Sequence, residues 1–389
     1  MATLSKGTLF NPEIVSEIIN GVKGKSSLAA LAAQTPIPFN GLKEFVFTMD
    51  SEVNIVAENA AKSHGGITLT PKTIVPLKIE YGSRVSDEFM YAAEEEQIKI
   101  LKPFIEGFAR KAAKGLDLMA LHGVNPRTMT ASTVIGNKHF DAEVMQLISY
   151  DSTNPDANIE AAVQLVDGSE GDVTGAIFSK IFSAALADYK VNNVKQFPEL
   201  AWGANPKSVN GLRVEINKTV SAAGSDRAIV GDFENAFRWG YAKEIPMEII
   251  PYGDPDNSGE DLKGHGQVYL RAELYLGWGI LNPASFARVV VPTSISVSSA
   301  TADGTSSTTT STKITITLSS DVVGLKAEHF TLEDGTGEAA PGALTGSGKN
   351  YVLALDSVTT QGNVTMKIAD IGGFDFPTTG TSVTVHKST

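Results

Sequence analysis

Three groups of residues have types and spacings that could do chemistry. Gly24-Lys25-Ser26 has the ending of a phosphate loop, where backbone amides, a lysine and a hydroxyl hold phosphate and its magnesium. The complete pattern needs glycine at position 19, which is Ile19, and a strand before it. Asn11-Pro12-Glu13 instead starts a helix, with asparagine as cap and proline in the first turn. The expectation is a surface turn. Asp254-Pro255-Asp256-Asn257-Ser258-Gly259 places oxygens at loop positions 1, 3 and 5 and glycine at 6, like the first half of a calcium loop. Its twelfth position is His265 rather than a bidentate glutamate, and its flanks read as strands, so a solvated loop is expected. The six histidines (His64, His122, His139, His265, His329, His386) form no H-x-x-x-H pair, which gives metal or triad chemistry no support. His122 suits a helix C-terminus, where positive charge is favoured. There is no cysteine, which excludes disulfides and thiolate ligands or nucleophiles. The sequence predicts no catalytic, cofactor-binding or metal site, and no enzyme.

The element that dominates the pattern is a long helix within 85–123. Ser86 is an N-cap, with Asp87 and Glu88 on the first turn. Ile98, Leu101, Ile105, Phe108, Ala112 and Met119 recur on one face, while Lys99, Lys102, Glu106, Arg110, Lys111 and Lys114 fall mostly off it. Pro103 predicts a break near Lys102, and Gly123 a C-terminal cap. Ahead of it, residues 1–35 read as an arm with short helices, ended by Thr35-Pro36-Ile37-Pro38. Residues 42–82 read as a long two-stranded arm with a flexible tip at 57–66. Such a hairpin is unstable alone in water and needs a partner surface. Beyond the helix, 127–172 reads as loop-rich, 177–189 as helical, and 212–216, 228–233, 245–252 and 267–280 as strands.

The composition changes near Val291. Arginine ends at Arg288 and tryptophan at Trp278, and serine, threonine and glycine become dense. Alternation at Thr312–Leu318, Tyr351–Leu355, Val364–Ile368 and Ser382–Val385 predicts a small β-sandwich over 291–389. The whole chain has 389 residues, 42% hydrophobic and 20% charged, which describes a globular protein of two or three domains. A net charge of −12 argues against a sequence-reading nucleic-acid binder, but not against a protein that encloses nucleic acid. No signal peptide or membrane-spanning apolar run is read.

The middle of the chain resembles the HK97-like major capsid proteins of tailed bacteriophages. The resemblance rests on Val85-Ser86-Asp87-Glu88-Phe89 leading through the helix to Asp117-Leu118-Met119-Ala120-Leu121-His122-Gly123. It also rests on Ala228-Ile229-Val230-Gly231-Asp232-Phe233 with Tyr241-Ala242-Lys243-Glu244-Ile245. The third part is Gln267-Val268-Tyr269-Leu270-Arg271-Ala272-Glu273 with Gly277-Trp278-Gly279-Ile280 and Asn282-Pro283-Ala284-Ser285-Phe286-Ala287. Val323–Phe330 and Gly346–Tyr351 resemble bacterial immunoglobulin-like domains.

The resemblance implies an α+β, HK97-like capsid fold over 1–290 followed by an all-β Ig-like sandwich over 291–389. The N-arm would be 1–35, the E-loop 42–82 and the spine helix 85–123. The spine helix and about 245–285 would give a P-domain, and about 130–240 an A-domain around the hexamer or pentamer centre. The implied function is self-assembly as hexamers and pentamers into an icosahedral shell that packages phage dsDNA without sequence-specific binding, with the Ig-like domain outside. The implied partners are a portal and a separate scaffolding protein where one is needed. The implied location is the virion, assembled in the host cytoplasm, with no membrane and no cofactor. Lys62 and Lys72 in the E-loop and Asn257 in the acidic loop are candidate intersubunit contacts, because some family members join such a lysine to a neighbour's asparagine. The alternatives are an encapsulin-like nanocompartment and an Ig-like cell-surface adhesin.

Overall fold

A computed structural model describes residues 25–389 except positions 50, 93 and 170. The helix expected after Asn11 lies outside the described residues. The first described element is a short helix, α1 (Ser27–Leu31). Extended chain follows, with Gln34 bridging in parallel to Trp239. Strands β1 (Leu42–Met49) and β2 (Ile67–Ile74) form an antiparallel hairpin with Leu42 opposite Ile74 and Met49 opposite Ile67. The expected return strand to residue 82 is not part of it. Pro76 has no N–H to give the ladder, and β3 (Leu77–Ser86) leaves to pair with a different sheet.

Ser86 caps a single-turn helix at Asp87–Tyr91, its Oγ accepting from the Glu88 amide at 3.3 Å. The long helix α2 (Glu94–His122) then runs unbroken through Pro103. The expected break there does not occur. The amide bond lost at Pro103 would have gone to the carbonyl of Lys99, and Lys99, Lys102 and Pro103 are all exposed, so water can take that carbonyl. The chain breaks earlier instead, around Ala92. Leu101, Ile105, Phe108, Ala112 and Met119 are buried as the spacing predicts. Gly123 ends the helix in the left-handed region, at φ 64°.

A six-stranded mixed sheet follows, built from β4 (Leu147–Ser149), β5 (Gly175–Phe178), β6 (Ser208–Val209), β7 (Leu212–Ile216), β8 (Asp226–Gly231) and, later in the chain, Phe286–Val290. The spatial order is β4, Phe286–Val290, β8, β5, β7, β6. Its central strands β5, β8 and Phe286–Val290 are buried on both faces, and the period of two sorts their side chains. Ala176, Phe178, Ala228, Val230, Ala287 and Val289 pack with Ala162, Val166, Phe182 and Leu186 from two helices, Pro155–Asp167 and Lys180–Asp188. Ile177, Ile229 and Phe286 face the other way, into the core shared with α2. The first of those helices lies in the stretch read as loop-rich; Asn154-Pro155 is its start signal. The strand β5 occupies the beginning of the stretch read as helix, because Ile177 must be buried between two layers.

The second sheet is three-stranded. β9 (Phe237–Ile250) pairs with β10 (Gln267–Ile280), which pairs with β3. The strand expected from Ile245 therefore begins eight residues earlier, at Phe237. Three glycines make this sheet a track. Gly240 and Gly277 are opposite each other, and Arg238 is opposite Gly279. A Cβ on Gly240 would lie 1.8 Å from the Thr35 carbonyl oxygen, and one on Gly279 2.7 Å from Ile74. The chain at Thr35–Ile37 and the base of the hairpin can therefore lie directly on the strands. Thr35 and Ile37 amides donate to the carbonyls of Trp239 (2.8 Å) and Tyr241 (3.2 Å).

Residues beyond Val291 form two further three-stranded sheets. One joins Val297–Ala302, Lys313–Val322 and Glu338–Thr360; the other joins Phe330–Asp334, Gly362–Ile368 and Thr381–Val385. Ile314, Ile316, Leu353, Val364, Met366 and Val383 fill one core between them, distinct from the cores above. This unit touches β4: the Gly373 amide donates to Ser149 Oγ at 3.0 Å.

Replacing Gly240 by alanine forces the Thr35–Ile37 segment off β9. The expected loss is about 1–3 kcal/mol, the usual range for overpacking. Denaturant unfolding measures it, together with faster proteolysis near Thr35. Unchanged stability and cleavage in Gly240→Ala would show that the close approach does not hold the segment.

Candidate functional site

The most exposed apolar surface is one face of the hairpin. Phe45, Phe47 and Met49 alternate along β1, and their cross-strand partners are Pro71, Leu69 and Ile67. All six are exposed, with Phe47 at 53% and Met49 at 68% of full accessibility. At the tip Val53 and Ile55 are almost wholly exposed. Eight paired residues span about 26 Å at 3.3 Å each. A two-stranded ribbon with one apolar face is marginal in water, so this face suits a second surface. A further exposed apolar point is Trp202, in the left-handed region at φ 56° and fully exposed. The sequence reading did not single it out. Its signal is the Trp202-Gly203 step in a loop.

The three predicted contact residues are separated. Lys62 lies on the exposed hairpin tip. Lys72, on β2, is held in its own chain by Glu143 at 2.9 Å. Asn257 sits exposed at φ 56° in the acidic loop. Among the described residues no hydrogen bond or ion pair joins any two of them.

That acidic loop is built round a side-chain cation. The Arg84 guanidinium donates to Asp254 (2.8 Å), to both oxygens of Asp256 (2.5 and 2.9 Å), to Ser258, to the Glu260 carbonyl (2.9 Å) and to Gln267 (3.3 Å). The oxygens that resembled calcium ligands are thus ligands of an arginine, whose planar fork matches carboxylates. Hydrogen bonding from Arg84 holds the Asp256 carboxyl well below the usual range.

Ser26, the third residue of the phosphate-loop look-alike, is buried rather than on a surface turn. It caps α1: its Oγ accepts from the Ala29 amide (3.1 Å) and donates to Asp117 (2.5 Å). Asp117 is fully buried on α2 and accepts four more hydrogen bonds. They come from the amides of Ser27 (3.0 Å) and Leu28 (3.3 Å), from Asn217 (3.0 Å) and from the Thr219 hydroxyl (2.9 Å). The free amides at the start of α1 are thereby satisfied by an acid about 90 positions away. Burial pushes the Asp117 carboxyl up, and these donors oppose it.

A second buried network closes the other side of α2. His122 Nδ1 lies 2.8 Å from Asp141, and its Nε2 2.9 Å from the Thr219 carbonyl. Arg288 donates to Asp141 (2.6 Å) and Asp226 (2.8 and 3.0 Å). His122, Asp141 and Asp226 bring ligand-type atoms within 4.8 Å of one another, but the Arg288 guanidinium already supplies the cation between the two carboxylates. Among the described residues no hydrogen bond reaches Asp226 Oδ2. Burial pushes the Asp226 carboxyl up to about 7, helped by the nearby Asp141 charge and opposed by Arg288. A proton on that oxygen can be donated to Asp141. Burial is the largest single effect on His122 and works against its charge, but the Asp141 bond, the charges of Asp141 and Asp226 and the Thr219 carbonyl together raise it; Asp141 is held low against burial by His122 and Arg288.

Two outcomes follow. Asp117→Asn is isosteric, but both carboxylate oxygens face donors, so either amide orientation sets an N–H against them. We expect a loss of about 2–4 kcal/mol in denaturant unfolding; a loss below 0.5 kcal/mol, within the about ±0.5 kcal/mol of ordinary surface changes, would contradict this role. For Asp226 the folded value lies above the unfolded one, so its contribution is complete below about pH 4 and is lost as pH rises through about 7. His122, also raised, acts in the same direction. Stability should therefore fall between pH 5 and 7 by up to about 1.4 kcal/mol per pH unit per proton. Asp226→Asn, which fixes the proton-bearing shape, should flatten that slope in unfolding series at pH 5, 6 and 7.

No helix among the described residues is long and apolar enough to cross a membrane. No curated protein matches the chain. A solved structure from Mycobacterium phage Ogopogo is similar at 30% identity and TM-score 0.57, covering 68% of this chain and 92% of that one. One from Gordonia phage Cozz shares 22% identity with TM-score 0.56, covering 70% of this chain and 86% of that one. One from Microbacterium phage Oxtober96 shares 14% identity with TM-score 0.51, over 68% and 91%. The last two carry likeness of fold alone. The Phage capsid family matches residues 6–291, from before α1 through both large sheets, the hairpin and both buried networks. On that match the chain belongs to the phage capsid family, a family of shell-forming structural proteins.

Proposed function

We propose that this chain is a major capsid protein that assembles as hexamers and pentamers into an icosahedral shell around phage dsDNA. The observation that carries the proposal is the exposed apolar face of the hairpin, Phe45, Phe47, Met49, Ile67, Leu69 and Pro71. It is too large for a lone ribbon and reaches beyond the core of its own subunit. In the shell it lies on a neighbour and buries surface that one subunit cannot. Family membership and the phage relative at 30% identity support the reading. Assembly takes place in the host cytoplasm, with a portal and, where needed, a separate scaffolding protein.

Residues 1–290 make the capsid unit in this proposal, with arm, E-loop, spine helix α2, P-domain and A-domain. Residues 291–389 make an Ig-like sandwich displayed outside. The family match ends at 291, and the later residues have their own core. Lys62 and Asn257 serve as contacts between neighbours. Lys72 is engaged by Glu143 within its own chain and orients the hairpin rather than a cross-link.

Negative-stain microscopy tests the assembly. The wild-type chain should give closed shells that yield DNA on disruption when made during infection. Phe47→Asp should leave unfolding unchanged within about 0.5 kcal/mol, since the side chain is exposed, yet abolish closed shells. Normal shells from Phe47→Asp would refute the hairpin's role. Protein cargo in place of DNA would favour a nanocompartment.

A further inference from the structure

We infer that the outer face of α2 over 99–114 is a docking strip for the phosphate backbone of double-stranded DNA. This rests on the shell reading above and assigns to named residues a contact that the reading leaves open. At about 100° per residue, Lys99, Lys102, Glu106, Arg110, Lys111 and Lys114 fall within one half of the helix circumference. Leu101, Ile105, Phe108 and Ala112 occupy the other half and are buried. The outer half carries five cations and one carboxylate on a chain of net charge −12, all six exposed; Lys99 and Lys102 are already engaged within the chain, so Arg110, Lys111 and Lys114 carry the unmatched charge. The strip is about 22 Å long at 1.5 Å per residue, long enough to follow several phosphates.

The arrangement is unfavourable within the subunit. Arg110 and Lys114 are four apart, and Lys111 and Lys114 three apart, spacings at which like charges destabilise a helix. No carboxylate among the described residues pairs with any of these three. Asp117, one turn on from Lys114, is buried and engaged by five donors. Residues 1–24 carry two acids and two lysines, and Glu94-Glu95-Glu96 lie 14 or more positions before Arg110, so neither stretch offsets the charge of Arg110, Lys111 and Lys114. The surface beside the strip is open: a Cβ on Gly107 would meet nothing within 4 Å. A regular polyanion supplies the missing charge. The strip offers no amide or carboxamide fork in line with the cations, so it holds backbone phosphate without reading bases.

The test is fluorescence anisotropy of the full-length, unassembled chain with two 30-bp duplexes of unrelated sequence, at 50–200 mM salt. Both duplexes should bind alike, and log affinity should fall linearly with log salt. Arg110→Gln/Lys111→Gln/Lys114→Gln should weaken binding at 50 mM at least tenfold and reduce the slope by up to about 3, roughly one per cation. Glu106→Lys, in case the triple variant folds poorly, should steepen the slope by about 1. No wild-type binding at 50 mM, or unchanged slopes in both variants, overturns the inference. So does displacement of the duplex by poly-glutamate at a lower charge concentration, which would mark the strip as a dock for an acidic protein segment. Negative-stain images of the same preparations under assembly conditions separate the two claims. Shells from a triple variant that no longer binds DNA support the strip and leave the shell reading standing; wild-type chain that binds DNA but never forms shells overturns the shell reading alone.

Discussion

The buried carboxylate of Asp117 is the constraint on which the rest of the subunit depends. Among the described residues it has no cationic partner; five hydrogen bonds from two separate parts of the chain replace its water. Those bonds fix α1 against α2 and the turn at Asn217–Thr219. From α1 the chain continues to Ala32, whose carbonyl receives the Trp239 indole N–H at 3.0 Å, and then runs along β9. Ile37 and Ile74 meet over Gly277, where a Cβ would lie 3.0 Å from one and 3.3 Å from the other. The hairpin leaves from Ile74. Its direction is therefore set, step by step, by a carboxylate on the far side of the first core. A surface proposed to meet a neighbour needs such a rigid root, because the hairpin has no core of its own.

Two places among the described residues where acids gather are closed by arginine. Arg84 fills the loop at Asp254–Glu260, and Arg288 lies between Asp141 and Asp226. A guanidinium has five donors and keeps its charge at any accessible pH, so it suits several oxygens at once. The two sites differ in what remains unsatisfied. The Arg84 loop is near the surface, and water can complete it. The Arg288 site is buried, and its leftover oxygen on Asp226 lies beside Asp141; a proton is the smallest group that resolves two carboxylates there. The end of α2, the strand at Asp226 and the strand at Arg288 are thus joined through a group that titrates near neutrality.

Features set by local periodicity were legible in the sequence. The strands Leu212–Ile216 and Gln267–Ile280 and the buried positions Leu101 to Met119 stand as their spacing predicts. Errors arose where tertiary context overrode local preference. Pro103 does not break α2 because its lost bond falls on the solvent side. Leu77–Ser86 continues the hairpin in pattern, yet β10 captures it as a sheet partner. Neither network was visible, since their members lie tens to more than a hundred positions apart. A charged residue amid Leu116, Leu118 and Met119 was the one local sign of Asp117. Arg84 gave less: a single cation on a strand, whose meaning depends on a loop 170 positions later.

The same helix that turns Asp117 inward turns Lys114 outward, and this contrast explains how its charge is tolerated. From Ala112 to Leu121 nearly every residue of α2 except Lys114 is buried. Packing of that half is worth far more than the roughly 0.2–0.5 kcal/mol lost per like-charged pair on the helix surface. The buried half can therefore hold the like charges of Arg110, Lys111 and Lys114 in place. In an isolated subunit that face is only a cost. Under the proposed docking role, each copy in a closed assembly presents it again, so contacts too weak to matter singly act together along one polymer. Weak, repeated and base-blind contacts let a long polyanion move while it is confined, which tight binding by a strongly basic protein would prevent. A net negative chain with one narrow cationic strip meets both requirements.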